Sequence, residues 1–167
     1  MTVRAAPDKI VSRDELIRRL SRPRSERVVF TNGVFDIIHR GHATYLSSAR
    51  ALGDVLVVGV NTDESTRRLG KGADRPLERE SDRAFVLASL ECVDYVCLFR
   101  EDTPAALIDA LAPDVLVKGG DYHLDSVVGR NSVEAHGGRV ELIPFVEGYS
   151  TTDLVRRIRS SADDSSS

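Results

Sequence analysis

Five short apolar runs constrain this chain more than any other feature: Arg27-Val-Val-Phe-Thr31, Asp54–Val60, Val93–Phe99, Asp114–Lys118 and Arg139–Phe145. The first two read as buried strands and the other three as further strands, and together these runs predict a sheet rather than isolated hairpins. Helix-forming segments separate them. Ala43, Leu46, Ala49, Arg50 and Leu52 give helical spacing over 42–52, with Gly53 as the residue that stops the helix. Further helices are predicted from Asn61-Thr-Asp63 to about 69, over about 82–91 after Ser81 or Asp82, and from Thr103-Pro104 to about 111. Two more are predicted over about 131–136 and from Ser150 to about 159. Strands alternating with helices predict an α/β fold, with a five-stranded parallel sheet covered on both faces. No internal repeat is present.

A leader over 1–24 precedes this unit. Ser12 and Glu15 form a capping-box pattern, and a short helix over roughly 13–20 presents Leu16, Ile17 and Leu20 before Pro23 ends it. Residues 25–160 form the expected domain, and Ser161–Ser167 reads as a disordered tail. One domain of 167 residues buries roughly 68–70% of the surface of its unfolded chain, enough to fold without staples.

Ligands of parallel sheets bind at the carboxyl ends of the strands. Those ends are polar or glycine-rich here: NGVFDIIHRGH after the first strand, NTD after the second, KGGDYH after the fourth and EGYSTTD after the fifth. His39 and His42 flank a helix start, where backbone N–H groups and the helix dipole attract anions. Gly41 between them lets a phosphate approach the backbone. Two imidazoles there could donate to phosphate oxygens in a transition state. A zinc pair is the rival reading, disfavoured because neither cysteine lies in a strand-end loop and no HExxH spacing occurs. Only three of 23 basic residues are lysines, and Lys71 and Lys118 both sit beside glycine near this edge. A lysine is a compact charge suited to polyphosphate. Ser150, Thr151 and Thr152 can cap a helix or hold a phosphate.

Composition removes other classes. Net charge is −3, aromatic residues are 5% and tryptophan is absent, which speaks against a nucleic-acid surface. The longest apolar stretch, Val55–Val60, is far too short to span a bilayer, and no signal peptide is visible. Cys92 and Cys97 read as small apolar fillers, and the expected location is cytoplasmic. There is no GxGxxG after the first strand, no GxxxxGK[ST] and no GxSxG. What remains is a site that positions phosphates without a covalent nucleophile.

The segment FTNGVFDIIHRGHATYL resembles the HxGH signature of the cytidylyltransferase-like nucleotidyltransferases. The likeness continues through LGDVLVVGVNTDESTRRL, ALIDALAPDVLVKGGDY and GYSTTDLVRRI, and so covers about 27–159. With VKGGDY and STT it is closest to the heptose 1-phosphate adenylyltransferase branch, which occurs as a domain of bifunctional ADP-heptose synthases. The resemblance implies a Rossmann-like α/β/α sandwich and the reaction of ATP with a sugar 1-phosphate to give ADP-sugar and pyrophosphate.

It further implies roles for particular residues. His39, His42 and Lys118 would be catalytic. Thr31, Gly33, Val34, Phe35, Gly41, Lys71, Arg83, Gly119, Ser150, Thr151 and Thr152 would bind the nucleotide. Asp36, Asn61, Asp63, Gly120, Asp121 and Tyr122 would serve the sugar phosphate, with Asp36 lying at that side or orienting its loop. Mg²⁺ would arrive with ATP, with no residue assigned as a metal ligand. The loop RLGKGADRPLERESDR departs from the family pattern by an extra glycine before Lys71 and by lacking a second proline. The chain is too short to hold a sugar kinase as well, so it is expected to stand alone and depend on a separate kinase. The fold analogy is compatible with a homodimer. Two alternatives carry different expectations. One is a cytidylyltransferase acting on glycerol 3-phosphate or another polyol phosphate. The other is a non-catalytic nucleotide-binding sensor or partner subunit.

Overall fold

The computed structural model describes residues 4–70, 72–120 and 122–164. Five parallel strands form one sheet: β1 (Val28–Gly33), β2 (Val55–Asn61), β3 (Tyr95–Phe99), β4 (Val115–Gly119) and β5 (Arg139–Ile143). Their spatial order is β3-β2-β1-β4-β5. The chain therefore winds outward from β1 in one direction, then returns to the other side of β1 at β4. The carboxyl ends of β1 and β4 flank this reversal, which is where open parallel sheets hold ligands.

Helices cover both faces, as the uninterrupted apolar strands require. Val29, Leu56, Val58, Val60, Val115 and Val117 pack against α3 (Arg40–Arg50) and α5 (Glu80–Ser89) through Leu46, Ala49, Leu87 and Ala88. The alternate residues Val28, Phe30, Val57 and Leu116 pack against α2 (Arg13–Leu20), α6 (Ala105–Leu111) and α7 (Arg130–Ala135). Successive strand residues thus feed two cores, one on each side. The structure bears out the Rossmann-like α/β/α sandwich.

Three details differ from expectation. The leader is part of the domain rather than an appendage. Ser12 caps α2 by accepting from the Glu15 amide at 3.2 Å, Leu16 and Leu20 are buried, and Ile10 bridges to Val96 of β3. A further short helix, α1 (Ala6–Lys9), precedes it, and buried Lys9 donates to the Leu90 carbonyl at 3.1 Å. At the other end, α8 (Thr151–Asp164) runs past the expected stop, so residues 161–164 are helical. The remaining short elements are α4 (Asp63–Arg68) and a 3-10 turn over Leu124–Ser126. Among the described residues, no helix is long and apolar enough to cross a membrane.

Candidate active site

A cleft of about 690 Å³ opens over the carboxyl ends of β1 and β4. One wall belongs to the α3 side of the sheet. β1 leaves the sheet through Gly33 and Phe35, whose φ of 52° lies in the left-handed region that non-glycine residues rarely adopt. This turn lays the Phe35 ring over Gly33, where a Cβ would come within 3.0 Å of Cε2. It also puts the ring edge-on to His42, with centroids 5.4 Å apart.

His39 is the residue before the first turn of α3 and His42 lies within that turn. Their rings stack with centroids 3.9 Å apart and planes 25° apart. The His39 amide donates to His42 Nδ1 at 3.4 Å, which leaves the proton of neutral His42 on Nε2. Burial pushes the His42 pKa down to about 4, with the neighbouring His39 adding to the effect and the Ile37 carbonyl opposing it. Burial lowers that of His39 as well. Both rings are therefore neutral near pH 7, so they can act on an anion as N–H donors. His39 Nδ1 is buried with no hydrogen-bond partner among the described residues. Gly41 makes the stack possible: a Cβ there would meet the His39 ring at 2.9 Å and Tyr149 Cβ at 3.0 Å. The glycine thus serves side-chain closure, and it lines the cleft as well.

Ser150, Thr151 and Thr152 line the same wall at the start of α8. The Ser150 hydroxyl accepts from the Asp153 amide at 3.0 Å and donates to the Asp153 carboxylate at 2.8 Å. The Tyr149 hydroxyl accepts from Arg40 at 3.3 Å. Phe35, Tyr45, Tyr122, Phe145 and Tyr149 all line the cleft, so the chain's few aromatic residues are concentrated there.

The opposite wall belongs to the α6 side. Lys118 follows Leu116 on that face of β4 and donates to the Asn32 side-chain carbonyl. Burial brings its pKa down to about 8. Asn61, Thr103, Ser126 and Val128 continue this wall. Gly119 and Gly120 lie beneath the Phe145 ring, and a Cβ on Gly119 would come within 2.7 Å of it. Gly120, at φ +91°, also needs glycine's backbone freedom. Tyr122 is exposed at the rim.

Several expected ligands are engaged elsewhere. Thr31 is fully buried and its hydroxyl lies 2.7 Å from that of Tyr45, which reaches the Val117 carbonyl at 3.3 Å, so it braces the sheet rather than facing the cleft. Arg83 is also sealed. Its guanidinium donates to the Glu78 carbonyl at 3.0 Å, Val34 at 2.6 Å, Asn61 at 2.9 Å and the Asp63 carboxylate at 2.8 Å. It ties the ends of β1 and β2 together, and Asp63 is consumed with it. Asn61 lines the cleft while its amide donates to Ser65 at 2.9 Å.

Asp36 holds a loop. Its carboxylate accepts from Arg75 at 2.8 Å, the Leu77 amide at 2.8 Å and the Glu78 amide at 2.9 Å. Burial would raise its pKa, but these donors bring it below the ordinary value. Of its two expected roles, orienting the loop is the one seen. Lys71 and Asp121 lie outside the described residues. Sequence reasoning missed Asn32, Arg75, Thr103, Ser126, Phe145 and Tyr149 as cleft residues. Asn32 opens the NGVFDIIHRGH segment, but its pairing with Lys118 follows only from the strand order, which puts β4 beside β1.

Among the described residues, no three His, Cys, Asp or Glu side chains converge to hold a metal ion. The cleft carboxylates Asp36 and Asp102 are already bound by Arg75 and Arg68, at 2.8 and 2.6 Å.

The family model described as cytidylyltransferase-like matches residues 30–160. D-beta-D-heptose 1-phosphate adenylyltransferase of Bordetella bronchiseptica is 57% identical over 152 residues, covering 90% of this chain and 94% of that protein. Bifunctional protein HldE of Citrifermentans bemidjiense is 57% identical over 155 residues, but the chain spans only 32% of its length. Among solved structures, the lipopolysaccharide core biosynthesis protein of Thermoplasma volcanium is 30% identical with a TM-score of 0.61, covering 75% of this chain and all of that one. Pantoate-beta-alanine ligase of Francisella tularensis, 13% identical with a TM-score of 0.59, shares the fold. The chain belongs to the cytidylyltransferase-like family.

Proposed function

We propose that this chain transfers AMP from ATP to a heptose 1-phosphate, giving ADP-heptose and pyrophosphate. The likeness to the Bordetella adenylyltransferase over nearly its whole length supports the substrate pair. The observation that carries the chemistry is the placement of the two neutral histidines and the half-buried Lys118 on opposite walls of one cleft, at the reversal of strand order.

A phosphate oxygen of the sugar 1-phosphate attacks the α-phosphorus of ATP. A new P–O bond forms there, and the bond from that phosphorus to the bridging oxygen breaks, releasing pyrophosphate. The attacking oxygen is already anionic, so no proton has to be removed and no general base is needed. The chain's part is positioning and charge stabilisation. The triphosphate lies along the starts of α3 and α8, where helix N-termini, the imidazole N–H groups and the hydroxyls of Ser150, Thr151 and Thr152 donate to it. Lys118 supplies the cation from the other wall. ATP would be bound as its magnesium complex, and the ion would neutralise some of the phosphate charge. The phosphorylated sugar is the product of a sugar kinase reaction. A cytoplasmic location goes with ATP as donor.

Pyrophosphate release tests this, using purified protein with Mg²⁺, each of ATP, CTP and GTP, and a panel of sugar 1-phosphates with glycerol 3-phosphate. Release with ATP and a heptose 1-phosphate alone is expected. Preference for CTP with glycerol 3-phosphate would move the chain to the polyol branch, and ATP binding without turnover would make it a sensor.

A further inference from the structure

Nothing in the HRGH, VKGGDY or STT motifs points to Asn32. It stands near the end of β1, two residues after Phe30, and Phe30 pairs with Leu116 of β4. Asn32 and Lys118 therefore face each other across neighbouring strands, on the α6 side of the sheet. The Asn32 carbonyl accepts from Lys118 Nζ, and both residues line the cleft.

The identity of this partner matters. A half-buried ammonium usually lies against a carboxylate, which also cancels its charge. Among the described residues Lys118 forms no ion pair, and its hydrogen-bonded partner is a neutral amide. An amide oxygen fixes the ammonium through a charge-assisted hydrogen bond and leaves its full charge for an anion. An aspartate of the same shape would fix it equally well and neutralise it.

We infer that Asn32 is a positioning residue, holding Lys118 at the strand-end edge as an uncompensated cation for a substrate phosphate. The inference rests on the adenylyl transfer proposed above, but its test has a readout independent of that reaction.

The probe is inorganic pyrophosphate, titrated calorimetrically into wild type, Asn32→Asp, Asn32→Ala, Lys118→Met and the Asn32→Ala/Lys118→Met pair, with melting curves for each. Asn32→Asp is expected to weaken pyrophosphate binding by about tenfold or more, the scale of a lost interaction with a charged group, with no fall in melting temperature. Asn32→Ala keeps the cation but not its placement, and should cost only about threefold. In the Lys118→Met background the alanine change should cost nothing further, because Asn32 acts through the lysine. Turnover with ATP and a heptose 1-phosphate should follow the same order, with aspartate worse than alanine.

A residue that merely supports the fold would show the reverse order, with aspartate mild and alanine harsh in melting temperature and affinity alike. That order overturns the inference, as does additivity in the double variant or a wild type that does not bind pyrophosphate. If wild type binds pyrophosphate but turns over no heptose 1-phosphate, the proposed reaction fails while the ranking of affinities still decides the role of Asn32.

Discussion

The carboxyl ends of β1 and β2 lie side by side and read alike in the sequence, each running into polar residues. In the structure they do different work. At the end of β2, Thr62 accepts from the Ser65 amide at 3.2 Å, the Asn61 amide donates to Ser65, and Asp63 binds Arg83. Those groups are largely spent on the protein. Beyond β1, by contrast, a ring nitrogen of His39 is left without a partner, and on β1 itself Asn32 offers its carbonyl to a lysine that has no counter-charge among the described residues. A polar strand end is therefore weak evidence for a site. Capacity left unused by the protein is the stronger sign, because a buried donor or acceptor without a partner is costly unless a ligand completes it.

Breaking the β2 side should produce the largest effect. Arg83→Met strands the Asp63 carboxylate and three carbonyls, and should destabilise the fold by about 3–5 kcal/mol in urea unfolding. If stability were kept and only ATP affinity fell, Arg83 would be a ligand and the contrast would collapse. On the β1 side, His42→Ala should cost turnover rather than fold. A loss of at least ~10²-fold in pyrophosphate release is expected, the scale of one transition-state donor, with a cooperative melt retained. Near-normal turnover would refute its assigned role.

The smallest effect is a pH dependence that belongs to the histidine side alone. His42 titrates at about 4 in the folded chain against an ordinary 6.5. As pH falls below about 6.5 the unfolded chain takes up this proton first, so acid favours unfolding. The stability tied to neutral His42 is thus complete above pH 6.5 and is lost as pH falls toward 4. Unfolding free energies across this window should decline more steeply in wild type than in His42→Asn. Parallel curves would mean that His42 is not buried neutral.

Most of the architecture was legible because β1 to β4 are apolar runs and α2, α4 and α8 have capping side chains at their starts. Ser12 and Ser150 cap the helices they were expected to cap. The site was legible only where chemistry is compressed into a few neighbouring residues, as in HRGH, VKGG and STT. Asn32 escaped because its partner lies 86 residues away and becomes adjacent only through the crossover to β4. Arg83 and Thr31 differ from the residues of the cleft for the converse reason. Their polarity is visible in the sequence, but the carbonyls and the hydroxyl that occupy them are not. Residues 161–164 looked like a tail on composition, yet they extend α8, an outcome that local polarity cannot foretell.

The missing methyl at Gly41 links the start of α3 to the segment that leads into α8. It lets Tyr149, more than a hundred residues later, close against the turn that carries His39. Pairing of β1 with β2 needs only local sequence, whereas the final surroundings of the histidine stack need the segment after β5. Long-range contacts of this kind form late, since the intervening chain must first be ordered. During synthesis, then, half the sheet can assemble well before the cleft exists, and binding competence arrives only once α8 has emerged.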